Sequence, residues 1–159
     1  MIVSNNHELV IVKARETDHK QAILALADHA FGKNVLFSKN QLENYFNLAT
    51  MSFYLAYKNE KPVAFQSISK VLDEMEIIGI AVHESVRKQG IGESLFHAVK
   101  NEIKVHGLTA IFLEVREGNL AARRFYEKIG FETVGRRTNY YSHPEEDAII
   151  MRKEEKSNE

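Results

Sequence analysis

The chain has no cysteine and no tryptophan, and only two prolines in 159 residues. Without cysteine there is no disulfide, no thiolate metal site and no cysteine nucleophile, a composition suited to a reducing compartment. No apolar run approaches the length of a membrane span, and residues 1–13 have no signal-peptide layout. Neither charge sign dominates: the formal net charge is -1, which gives no electrostatic footing for nucleic acid or an anionic bilayer. The seven histidines are scattered, with none at metal-ligand spacing, so no metal is expected. These absences predict a cytoplasmic protein with no nucleic-acid or membrane partner; a monomer or homodimer is expected.

What is present is a globular composition, 44% apolar and 27% charged, at a length that supports one domain with a real core. Residues 1–152 are expected to form that domain and 153–159 a charged tail. After a polar start, Glu8 to Lys13 reads as a strand. Thr17 or Asp18 caps a helix to about Phe31, with Ile23, Leu24, Leu26, Ala27, Ala30 and Phe31 inward and Gly32 ending it. Ser38 caps a shorter helix bearing Leu42, Tyr45, Phe46 and Leu48. Met51 to Lys58 and Pro62 to Val71 read as strands joined by Asn59-Glu60-Lys61. A central strand, a helix ending at His106-Gly107, a strand from Leu108 to Arg116, a helix from Leu120 to Ile129 and strands at Phe131–Arg136 and Ala148–Met151 complete a mixed α/β plan.

The stretch Ile77 to Gly92, IIGIAVHESVRKQGIG, organises this plan. Ile77, Ile78, Ile80, Ala81 and Val82 make an apolar run expected of a strand covered on both faces. His83-Glu84-Ser85 breaks it. Arg87-Lys88-Gln89-Gly90-Ile91-Gly92 then opens a helix with Ile91, Leu95, Phe96, Val99 and Ile103 on one side. A helix N-terminus offers unpaired N–H groups to anions, and glycines let backbone approach a phosphate closely. The same glycines also suit a plain strand–helix connection. A dinucleotide fingerprint needs a small residue where Leu95 stands, and a Walker loop needs a GK[ST] ending that is absent.

Two further stretches bear on chemistry. Ala110, Phe112, Glu114 and Arg116 share one strand face, so Glu114 follows two apolar residues and would be a candidate base if partly desolvated. A strand-end glutamate paired with Arg116 is the plainer reading. The second stretch runs from Asn119 to Phe131 and has the pattern N-x-x-A-x-x-x-Y-x-x-x-G-F. Tyr126 within it is either a working phenol or an aromatic packed beside Phe125.

The loop Arg87-x-x-Gly90-x-Gly92 after a hydrophobic strand, together with the Asn119–Phe131 pattern, resembles the two signatures of the GNAT acetyltransferases. From Phe65 onward the chain also resembles one subgroup, the bacterial ribosomal-protein-alanine N-acetyltransferases (the RimI group). Val71-Leu72-Asp73-Glu74, Asn139-Tyr140-Tyr141 and Glu146-Asp147-Ala148-Ile149-Ile150-Met151 carry that likeness. The resemblance implies the GNAT fold: a single α/β domain with a mixed, mostly antiparallel central sheet flanked by helices. It also implies transfer of acetyl from acetyl-CoA to a primary amine, foremost the N-terminal alanine of a ribosomal protein.

By the same resemblance, backbone groups of Ile80, Ala81 and Val82 would hold the pantetheine arm. Arg87, Lys88, Gln89, Gly90, Ile91, Gly92 and Glu93 would cradle the pyrophosphate, and Asn119 would add a cofactor contact. Glu114 would be the general base and Tyr126 the general acid. The acidic residues Asp73, Glu74, Glu76, Glu145, Glu146 and Asp147 are candidates for an acceptor cleft or for plain solvated charge, and Tyr140 and Tyr141 for its wall or for packing. The chain departs from the subgroup at Val35-Leu36-Phe37-Ser38 (where Pro-Trp-Ser is usual), at Gly79 (often Asn) and at Thr138 (often basic). A small-molecule amine acceptor, or a non-catalytic coenzyme A-binding module, remain the alternatives.

Overall fold

The computed structural model describes residues 2–4, 7–31, 39–142 and 144–155. The elements are β1 (Ile2–Ser4), β2 (His7–Lys13), α1 (Glu16–Phe31), α2 (Lys39–Phe46), β3 (Met51–Lys58), β4 (Lys61–Val71), β5 (Glu74–Val82), α3 (Ile91–His106), β6 (Ala110–Arg116), α4 (Leu120–Lys128), β7 (Glu132–Tyr141) and β8 (Glu146–Glu154). Among the described residues they form one eight-stranded sheet, in the order β1-β2-β3-β4-β5-β6-β8-β7. Every pairing is antiparallel except β5 with β6. The crossover that makes this pair parallel is α3.

The strand expectations hold in order and place with shifted ends: β6 starts at Ala110 rather than Leu108 and β7 at Glu132 rather than Phe131, while others extend. The polar start of the chain carries β1, which pairs with β2 through Val3 and Glu8. Strand β8 runs to Glu154, into the expected tail, and the amide of Glu155 donates to the Thr109 carbonyl. The hairpin between β3 and β4 turns on two residues, Asn59 and Glu60, both at positive φ (51° and 68°), which matches the twist of the flanking strands. Gly32, Ser38 and the departure at 35–38 lie outside the described residues, as do 156–159.

Two cores clothe the sheet. On one face α3 buries Ile91, Leu95, Phe96, Val99 and Ile103 against Met75, Ile77, Ile111 and Leu113. On the other, α1 and α2 bury Ile23, Leu26, Ala27 and Leu42 against Phe53, Leu55 and Phe65. Ala30, expected inward, is exposed, and Leu48 lies beyond α2 and is exposed as well. Gly107, at φ 64°, closes α3 by donating to the carbonyls of Ile103 and Lys104.

Strand β5 departs from regular geometry at one point. Ser67 pairs with Gly79 and Ile68 with Ile77, so Ile78 is an extra residue without a partner on β4. A one-residue slip inverts the alternation of side chains. Met75 and Ile77 face α3; beyond the slip Ile80 and Val82 do so, while Ile78 and Ala81 face α1. The ladder to β6 also stops here, at Ile77 with Leu113. Beyond it β5 and β6 diverge, and Ile78–Val82 keeps one unpaired edge. Ile78–Val82 is thus covered on both faces, as the apolar run predicts, whereas Glu74–Ile77 alternates exposed and buried.

Candidate active site

Two clefts flank this divergence on opposite faces of the sheet. The first, about 700 Å³, lies between the end of β5, the start of α3 and α4. Ile80, Ala81, Val82, Arg87, Lys88, Gly90, Ile91, Gly92, Glu93, Asn119 and Tyr126 all line it. Gln89 does not; its side chain accepts from Lys58. The lining also includes Ala30, which spacing places inward on α1, Ala122, part of the Asn119–Phe131 pattern, and Val86, Ala121, Phe125 and Lys128, to which no sequence signal assigns a role in the cleft. Ala121 and Phe125 line it beside Ala122 and Tyr126, and their place on α4 could have flagged them.

The loop is shaped for an anion. Glu84–Val86 forms a 3-10 turn, and Lys88 and Gly90 take left-handed conformations (φ 64° and 79°). The first intrahelical bond of α3 runs from the Ser94 amide to the Gly90 carbonyl, 3.1 Å, which leaves the amides of Ile91, Gly92 and Glu93 ahead of the helix ladder. Arg87 is anchored by a 3.1 Å bond from Nε to the Val82 carbonyl. The two glycines serve different ends. A Cβ on Gly90 would meet nothing within 4 Å, so its need is conformational. A Cβ on Gly92 would lie 3.2 Å from Phe125 Cζ, so its need is close packing of α3 on α4.

Asn119 caps α4, its Oδ1 accepting from the Ala122 amide at 3.2 Å. Tyr126, on the buried side of that helix, meets Phe125 and Phe131 edge-on at 5.2 and 5.4 Å. Packing and cleft lining thus coincide in this residue. Burial lifts its hydroxyl well above the ordinary phenol value, so it stays protonated throughout the physiological range. A cleft with free amides and two cations at one end, and an unpaired strand edge along one side, accepts an extended ligand with an anionic head.

The second cleft, about 290 Å³, opens on the other face over β5, β6 and β8. Glu74, Glu76, Phe112, Glu114, Arg137 and Ile150 are among its walls. Glu114 stands one residue past the last β5–β6 pair and is mostly covered. Its partner is not Arg116 but Arg137 of β7, whose Nε donates to Glu114 Oε2. Tyr140 also hydrogen-bonds Glu114. Desolvation raises the Glu76 carboxyl above its ordinary value; the Glu114 charge adds to this and Arg137 opposes it. Burial and the Glu114 charge likewise raise both tyrosine hydroxyls, that of Tyr141 to about 12.

The remaining acidic residues divide differently from a single cleft. Glu146 accepts from the Gly118 amide (2.6 Å) and from Arg116 (3.2 Å), bracing the turn between β6 and α4. Asp147 accepts from Arg136 (2.7 Å) and from the amide of Asn139 (2.9 Å), which sits at φ 54° in the bulged part of β7. Asp73 accepts from Thr109. Tyr140 and Tyr141 pack edge-on to one another at 5.0 Å, with the Arg116 guanidinium 4.4 Å from the Tyr141 ring. Among the described residues no three His, Cys, Asp or Glu side chains gather as a metal site. No helix there is long and apolar enough to cross a membrane.

Comparison with known proteins agrees with this architecture. The chain is 39% identical over 126 residues to the [ribosomal protein bS18]-alanine N-acetyltransferase of Escherichia coli K12, covering 77% of this chain and 81% of that one. The crystal structure of the E. coli ribosomal-protein-S18-alanine N-acetyltransferase superposes with a TM-score of 0.83 at 29% identity, over 96% of this chain and 99% of that one. A GNAT acetyltransferase from Elizabethkingia anophelis, solved with acetyl-CoA bound, shares the fold at a TM-score of 0.76 and 22% identity, over 96% of this chain and 100% of that one. The model of the acetyltransferase (GNAT) family matches residues 20–131. The chain therefore belongs to the GNAT family and is an acetyl-CoA-dependent N-acetyltransferase.

Proposed function

We propose that the enzyme acetylates the N-terminal amine of a protein in the cytoplasm, foremost an alanine at the start of a ribosomal protein. The observation that carries this reading is the pair of clefts on opposite sheet faces, adjoining where β5 and β6 part. The first suits a long, phosphorylated thioester and the second a cationic amine. The relatives that act on ribosomal protein bS18 supply the acceptor class.

Acetyl-CoA supplies an activated acetyl group, seated in the first cleft. Amides from Ile91 to Glu93, with Arg87 and Lys88, receive the pyrophosphate. The free edge of Ile80–Val82 receives the pantetheine amides as an added strand, and a backbone N–H near Val82 polarises the thioester carbonyl. Glu114, directly or through water, takes the proton of the acceptor ammonium. The freed nitrogen lone pair bonds to the carbonyl carbon, the C–S bond breaks with its electron pair leaving on sulfur, and the nitrogen sheds its second proton to water, to which Glu114 then returns the first. Tyr126 donates a hydrogen bond, and then its proton, to that sulfur; the hydroxyl regains a proton from solvent.

Acceptor basicity favours an α-amine. Its pKa of ~7.7–8.0 lies ~2.5 units below that of a lysine, a difference of ~3.4 kcal/mol in the cost of deprotonation. A carboxylate base meets the smaller cost more readily. The test is thiol release from acetyl-CoA with basic peptides beginning in Ala, the same peptides N-terminally blocked with free lysines, and small amines. Release confined to the free Ala terminus is expected. Release with small amines alone overturns the acceptor and leaves the acetyl transfer.

A further inference from the structure

Arg137 and Glu114 are unequal partners. Glu114 is 17% exposed and Arg137 58% exposed, so the carboxylate is enclosed except on the side where the guanidinium sits. That side faces the second cleft, whose charged walls are Glu74, Glu76 and Glu114 against the single cation Arg137. The segment carrying Arg137 is loosely tied: β7 is the edge strand, and between Arg137 and Tyr141 its pairing with β8 lapses. The guanidinium also lies 5.9 Å from the Tyr140 ring centroid, a face able to keep it once its carboxylate is taken.

We propose that Arg137 occupies the seat of the acceptor ammonium on Glu114, and that a cationic acceptor binds by displacing it. Arg137 is then a specificity-determining residue, and the inference rests on the reading of Glu114 as the acceptor's base. An ammonium exchanges one cation for another, so the cleft's charge is conserved when Arg137 swings out. A hydroxyl or thiol acceptor brings no charge; it leaves the ion pair intact and the seat closed. The groups facing Glu114 support the exchange: Tyr140 and Tyr141 from β7 remain neutral donors, and Glu76 from β5 adds a second negative charge beside the seat.

The experiment is calorimetric titration of the protein, saturated with coenzyme A, with a basic peptide beginning in Ala. The dead-end complex reads binding without turnover. For Arg137→Gln the peptide should bind about two- to fivefold more tightly, the range set by releasing a partly exposed ion pair. Glu76→Gln should weaken binding by a similar factor. Arg137→Lys restores a cation, so its dissociation constant should return to within about twofold of the wild type's. Lys104→Gln, with the same change in net charge on the exposed last turn of α3, controls for bulk electrostatics and should change nothing. Unchanged or weaker binding in Arg137→Gln, with Lys104→Gln neutral, overturns the proposal, as does a wild type that does not bind the peptide. Thiol release by the wild type is scored separately, so acetyl transfer can stand while the exchange fails.

Discussion

Glu102 offers a prediction whose size follows from its surroundings. Its carboxylate is 8% exposed, on α3, and it accepts from Lys13 of β2, Tyr54 of β3 (2.5 Å) and Lys70 of β4 (2.8 Å), with His106 at 3.1 Å. One side chain thereby ties the helix behind the anion loop to three strands. Burial pushes the carboxyl up; the three donors outweigh it and bring it to about 2. Against an unfolded value of ~4.3, each pH unit being ~1.36 kcal/mol, the difference is worth about 3 kcal/mol at pH 7. The sign follows from the depressed native pKa. The contribution is complete above the unfolded value and declines as pH falls through 4 toward 2, to about half at pH 3. Glu102→Gln should therefore cost about 3 kcal/mol at pH 7, which for a chain of this length lowers Tm by about 6–12 °C. Urea unfolding of wild type and variant at pH 7 and pH 3 reads it directly. A gap that does not shrink at pH 3, or one under about 1 kcal/mol at pH 7, refutes the reasoning.

The site makes further claims. Glu114→Gln should lower kcat by about 10²- to 10⁴-fold with acetyl-CoA affinity unchanged by calorimetry, and a near-normal rate removes Glu114 from the chemistry. Tyr126→Phe should lower kcat by roughly 10²-fold, and the wild-type rate profile should show no fall attributable to this phenol below pH 10, since burial holds it protonated. Gly90→Ala should cost about 1–2 kcal/mol through its left-handed backbone, with Gly90→Asn regaining much of it in urea unfolding. Gly92→Ala should instead keep or raise stability, by up to about 1 kcal/mol from helix propensity, while raising the acetyl-CoA KM as the new methyl displaces Phe125 into the cleft.

Much of this was legible in the sequence because the informative features are local. A helix opened by Gly90 and closed by Gly107, and the apolar spacing from Ile91 to Ile103, each declare themselves within a single element. So does the Asn119 cap of α4. Residues whose role depends on a distant partner did not. Glu114 has Arg116 two positions away on its own strand face, yet pairs with Arg137, 23 residues on, because Arg116 is drawn to Glu146 and the carbonyls of Ser142 and Pro144. The acidic run Glu145-Glu146-Asp147 read as one feature; in the fold Glu146 braces one turn and Asp147 a bulge. Ala30 fitted the inward stripe of α1 by spacing but lies exposed in the last turn of that helix, where it edges the first cleft.

The bulge at Ile78 is the feature on which both clefts depend, and no periodicity could reveal it. An apolar run such as IIGIAV gives the same pattern whichever face each residue takes, since both faces of a sandwiched strand are apolar. Only the pairing with β4 shows that Ile78 is surplus. Its consequence is chemical as well as geometric. With the alternation inverted, Ile80 and Val82 turn toward α3 and floor the first cleft, while Glu76, before the slip, stays on the face of Glu114. A regular β5 would send Ile80 and Val82 to the α1 face and could continue its ladder along β6, closing the gap between the strands. One extra residue thus separates the cleft at the anion loop from the acidic one and leaves an opening between them. Glu114, one residue beyond the last β5–β6 pair, stands at that opening because the ladder ends there.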